Sequence, residues 1–163
     1  MLQPAAIDGL EFARSAGVLK GRLGIEFLPR LAQSGCSGLV LDFVLMGQIN
    51  ERGKPGLVLE ANGSVRLQCQ RCLGEVEYPI RFDVQLELAA SEAEILAADD
   101  DVDRVLAGRE MSVAALVEDE LLLALPMVPK HEQCQAAAGT KAGSGPSAFQ
   151  ALAALKKRSF REG

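Results

Sequence analysis

Two short stretches hold most of the side chains with which this chain could do chemistry: Cys69-Gln-Arg-Cys72 and, after 58 intervening residues, His131-Glu-Gln-Cys134. Three thiols and one imidazole match zinc in donor softness and in number, since a closed tetrahedral site takes four such ligands. The first half has the spacing of a zinc knuckle, in which two residues at a hairpin tip let both sulfurs turn toward one point. A second reading stays open beside it. Cys69 and Cys72 can also be a cross-strand pair of small apolar residues capping a sheet, with His131 a solvent-exposed loop histidine.

Other chemistries find less support. A CxxC pair serves thiol–disulfide enzymes when a helix N-terminus in a βαβ context depresses the thiol pKa. Here strands are expected on both sides, so ordinary thiols are expected. Glu118, Asp119 and Glu120 are consecutive carboxylates, but consecutive helical positions point about 100° apart, which makes a solvated helix face the expected role. The chain has no phosphate-binding glycine loop, dinucleotide fingerprint or nucleophile elbow, and a single histidine leaves few candidates for acid–base catalysis.

Composition narrows the class. With 48% hydrophobic and 24% charged residues in 163, the chain can close one hydrophobic core. The net charge of -5 argues against non-specific nucleic-acid binding, and aromatic residues at 4% are too sparse for base-stacking platforms. Basic residues gather only in the tail, at Lys156, Lys157, Arg158 and Arg161. Met1 to Gly17 carries no apolar stretch of signal-peptide length, and Leu121 to Leu125 is too short to span a bilayer. The expectation is a cytoplasmic protein whose four cysteines, Cys36 included, are metal ligands or free thiols.

The elements that must position these groups can be read from periodicity. Leu39, Leu41, Phe43, Leu45 and Ile49 alternate as one strand, and residues 50–56 form a turn-rich connection. Leu57 to Leu67 and Val76 to Leu88 alternate as two longer strands. Pairing Val65 with Val76, Ala61 with Ile80 and Leu59 with Phe82 places both apolar sets on one face and sets Cys69 opposite Cys72. Pro79 predicts an edge position or a bulge. A short strand at Leu19 to Ile25 precedes a short helix near Leu28 to Gln33. Ser91 with Glu94 caps a further short helix, and Ser112 caps a longer one that ends at Pro126 and Pro129. The predicted class is α+β: an antiparallel sheet with a long central hairpin, packed against a few helices. Residues 1–134 form a single domain in this reading, 135–147 a flexible linker, and 148–163 a C-terminal docking helix with a basic tail.

The run LQCQRCL from Leu67 to Leu73, the run LVEDELLLALPMVPKHEQC from Leu116 to Cys134, and FQALAALKK from Phe149 to Lys157 occur in that order. Together they resemble the YceD family, the large ribosomal RNA subunit accumulation proteins. The resemblance implies a bacterial or organellar cytosolic factor for the synthesis, processing or stability of large-subunit (23S) ribosomal RNA, with no enzymatic activity. Its expected partners are that RNA or a pre-ribosomal assembly protein, with neither a membrane nor a small-molecule substrate. Contact is expected through Arg71 at the hairpin tip and through Lys156, Lys157 and Arg158. Zn2+ is the one cofactor expected, held by Cys69, Cys72, His131 and Cys134. The alternative function is a CxxC thiol oxidoreductase or a metal-dependent ribonuclease.

Overall fold

The computed structural model describes residues 6–97 and 102–136. In chain order the elements are β1 (Ala6–Ile7), α1 (Gly9–Arg14), β2 (Val18–Gly24), a 3-10 turn (Ile25–Phe27), α2 (Pro29–Gln33), β3 (Ser37–Ile49), β4 (Pro55–Gln68), β5 (Glu75–Ala89), α3 (Glu92–Leu96), β6 (Arg104–Leu106), β7 (Met111–Ser112) and α4 (Val113–Ala124). The main sheet runs β2-β3-β4-β5-β6 and is antiparallel except for the β5–β6 pair, while β1 and β7 pair separately. This is the α+β class that the change of periodicity predicts.

Strict alternation decides which face is covered. Leu41, Leu45, Leu57, Leu59, Val65 and Ile80 lie fully or nearly fully buried on one face. Val113, Val117 and Leu121 of α4 join the same core. Each such side chain contributes roughly 1.5–3 kcal/mol when removed from water. The opposite face carries Arg22, Asp42, Glu60, Asn62, Arg81 and Asp83, all exposed. One solvated face is normal for an antiparallel sheet.

The central hairpin forms in a register two residues away from the expected one. Val65 faces Tyr78, Ala61 faces Phe82 and Leu59 faces Val84, with the last pair being Gln68 and Glu75. A shift of two preserves parity, so every apolar side chain stays on its predicted face. Cys69 does not face Cys72. Its partner is Gly74, because the connection is a six-residue loop over 69–74 rather than a two-residue turn. Pro79 fits for a reason that the ladder supplies. Glu87 donates its amide away from β4, to the Asp103 carbonyl, and by alternation residue 79 also turns its nitrogen that way. There β5 is an edge, since β6 covers only Glu87 to Ala89.

Helix α1 lies so close to β3 at Gly47 that a Cβ there would collide with the Phe12 carbonyl, so only glycine fits. Ser91 and Ser112 cap α3 and α4 as predicted, accepting from the amides of Glu94 and Ala115. One helical expectation fails. Glu118 is not on a solvated face: it is 2% exposed. Its carboxylate accepts the backbone amides of Arg30 (2.7 Å) and Leu31 (2.9 Å) and the Arg30 Nε (3.0 Å), closing the first turn of α2. The expected linker, beyond Gln135 and Ala136, and the C-terminal helix lie outside the described residues.

Candidate metal centre

The tip of the β4–β5 hairpin is a small, tightly bonded knuckle. The Cys69 amide donates to the Gly74 carbonyl at 2.8 Å, and the Leu73 amide donates to the Cys69 carbonyl at 2.9 Å. Leu73 accepts a left-handed backbone, φ 62°, to close that turn. The knuckle draws Cys69 inward to full burial and leaves Cys72 half-buried.

The second half of the donor set arrives from the exit of α4. Pro126 and Pro129 prevent the helix from continuing, and the Pro129 carbonyl accepts the Gln70 amide at 2.9 Å, which lays the exit loop against the knuckle. His131 then places Nδ1 3.3 Å from Cys72 Sγ, and Cys134 places Sγ 3.7 Å from Cys69 Sγ. All four donor atoms lie within 4.8 Å of one another. With metal–sulfur bonds of about 2.3 Å, a tetrahedral zinc site needs sulfur–sulfur edges of about 3.8 Å and sulfur–nitrogen edges of about 3.6 Å. The two measured edges fit. The outer imidazole nitrogen, Nε2, lies 2.8 Å from the Glu75 carbonyl. Donation there leaves Nδ1 unprotonated and aimed at the thiols, the usual way a backbone acceptor orients a ligating histidine.

Local electrostatics without a cation favours the ligating thiolate at Cys69 and the protonated forms at Cys72 and His131. Burial pushes the Cys69 thiol up, but the backbone amides of Cys72, His131 and Arg71 and the Cys72 thiol outweigh it and bring the group down to about 5. The Gly74 amide lowers the Cys72 thiol, yet burial and the neighbouring Cys69 and Cys134 leave it above its ordinary value. His131 is raised by its bonds to Cys69 and Cys134, against the effect of burial. The sequence reading of ordinary thiols between flanking strands therefore fails at Cys69. The amides of the knuckle do what a helix N-terminus does elsewhere. A redox nucleophile also needs access, and Cys69 has 0% exposure.

The donor cluster joins two of the three runs that carry the family resemblance, and a family model covers both. The model for the large ribosomal RNA subunit accumulation protein YceD matches residues 57–156, more than half of the chain. The chain belongs to the YceD family. That description ties the family to accumulation of large-subunit ribosomal RNA and names no reaction. No solved structure matches the chain.

In this YceD-family chain the remaining predicted contact residues fall differently. Arg71 is half-buried, and its guanidinium turns inward. Nε donates to Cys134 Sγ at 3.0 Å, and an Nη donates to the carbonyls of His131 (2.6 Å) and Glu132 (3.3 Å). Lys156, Lys157 and Arg158 lie outside the described residues. Sequence reasoning missed the Glu75 carbonyl as the histidine's acceptor, and nothing in residue type could have marked a backbone atom. A larger recess, about 560 Å³, is lined by Gln48, Asn50, Arg52, Glu87 and Asp103. Its buried carboxylate, Glu87, is already bonded to Arg104 (3.0 Å) and Asn50 (3.0 Å). The chain's one histidine is committed at the knuckle.

No helix among the described residues is long and apolar enough to cross a membrane.

Proposed function

We propose that the protein supports accumulation of large-subunit ribosomal RNA by binding, without catalysis, and that the knuckle end of the sheet is its contact surface. The observation that carries this reading is the convergence of Cys69, Cys72, His131 and Cys134 from two distant segments to within 4.8 Å. A divalent ion bound there, zinc by donor type, would cross-link the hairpin tip to the α4 exit. The chain's own residues do the rest: the knuckle amides hold the sulfurs, and Glu75 orients the imidazole.

Beside this centre Leu73, Met127 and Val128 are exposed. Apolar side chains on a chain of net charge -5 suit a basic protein of ribosome assembly better than RNA. Direct phosphate contact is left to Lys156, Lys157 and Arg158. Filter binding to large-subunit ribosomal RNA across a salt series tests the choice: weak binding with a shallow salt slope is expected, and tight binding that falls steeply with salt would make RNA the direct partner. In cells lacking the protein, the wild-type chain should restore large-subunit RNA and Cys69→Ser should not. Cleavage of that RNA by purified protein would replace the binding reading with the nuclease one.

A further inference from the structure

Arg71 occupies the hairpin tip, where an arginine could face a partner, yet its Nε and one Nη are turned onto one short segment of its own chain. From Nε it reaches Cys134 Sγ, and from an Nη it reaches the His131 and Glu132 carbonyls, at 3.0, 2.6 and 3.3 Å. These acceptors include both ligand-bearing residues of the α4 exit. We propose that Arg71 is the positioning residue of this centre: it clamps residues 131–134 onto the knuckle and keeps the donors assembled whether or not a cation is bound. The inference rests on the metal reading for its consequence and on geometry alone for the clamp.

The physical case has two parts. A planar guanidinium can serve a sulfur and two carbonyls along a fixed fork, which one ammonium cannot reproduce. Three thiolates with a divalent ion and a neutral imidazole leave one negative charge, and Arg71 supplies the matching positive charge next to Cys134. A hydrogen bond to a metal-bound sulfur also draws electron density from it, so the clamp acts on the donor as well as on the loop.

Three measurements on full-length wild type, Arg71→Ala and Arg71→Lys test the proposal. Zinc affinity by chelator competition should fall about 10- to 100-fold in Arg71→Ala and recover only in part in Arg71→Lys. The thiolate-to-cobalt charge-transfer bands should shift in both variants, which a merely structural role would not cause. In metal-free protein, hydrogen exchange at residues 130–134 and at the Gln70 amide should quicken in Arg71→Ala. Affinity within twofold of wild type, with unchanged bands and exchange, overturns the proposal. Wild type that takes up neither zinc nor cobalt overturns the metal reading instead, and the exchange data alone then decide the clamp: faster exchange upholds it, and unchanged exchange ends it.

Discussion

The knuckle and the Glu118 contact each tie α4 or its exit to a distant part of the chain, and they do so in opposite ways. At Glu118 one buried carboxylate meets two amides and a guanidinium, so donors and acceptors balance within the protein. At the knuckle three sulfurs and an imidazole nitrogen converge, and the inward-facing atoms are all electron-pair donors. Facing lone pairs repel unless protons or a cation lie between them, and Arg71 offers only one donor to one sulfur. A self-satisfied contact contributes to the fold alone. A donor-rich contact depends on what is bound, which is why the second, and not the first, is the candidate site.

That contrast is most exposed to metal removal. Wild-type protein should carry about one equivalent of zinc, and a strong chelator should lower its melting temperature by roughly 10 °C if free zinc had stood about a thousandfold above the dissociation constant. Cys69→Ser should lack zinc and melt at the chelated wild-type temperature. Metal content of purified protein with calorimetry settles it, and a wild-type melting curve unmoved by chelator would erase the difference between the two contacts.

Glu118→Gln should act in the complementary way. It keeps full zinc and its melting remains sensitive to chelator, but the fold loses about 1–3 kcal/mol at pH 7, because a buried charge-assisted network is broken. Burial alone would raise the Glu118 carboxyl, yet the amides of Leu31 and Arg30 and the Arg30 guanidinium hold it below its ordinary 4.5. The unfolded chain therefore binds that proton at a higher pH than the native one. The stabilisation is fully present above about 4.5 and is lost as pH falls through the lowered native value, so the wild-type and variant curves should converge in acid. Denaturant titrations at stepped pH would show a constant gap if Glu118 carried no such shift.

How far sequence reveals each contact follows from the same contrast. The strands of the hairpin are legible because alternation over fourteen or fifteen residues admits one buried face. Its register is not, because the backbone bonds of residues 69–74 set the loop length, and alternation cannot distinguish shifts of two. The donors stand out because cysteine and histidine are few here, at four and one. Glu118 and Arg71 are hidden because a charged side chain defaults to solvent, and only a partner 88 or 63 residues away turns each inward. β1 and α1, two and six residues long, lack the length over which a period can be recognised.

The smallest expected effect bounds the comparison from the other side. Arg22 and Asp42 form a bidentate pair across β2 and β3, with distances of 2.7 and 3.0 Å, the same as the two bonds from Arg30 to Glu118. Their side chains are 70% and 58% exposed, against 3% for Glu118. Water solvates both charges as well in the unfolded chain as in the folded one, and salt screens what remains. Arg22→Ala should therefore move the melting temperature by no more than about 2 °C and leave zinc content unchanged. A loss approaching that of Glu118→Gln would mean that bond geometry, rather than burial, separates the contacts that hold this sheet together from those that merely decorate it.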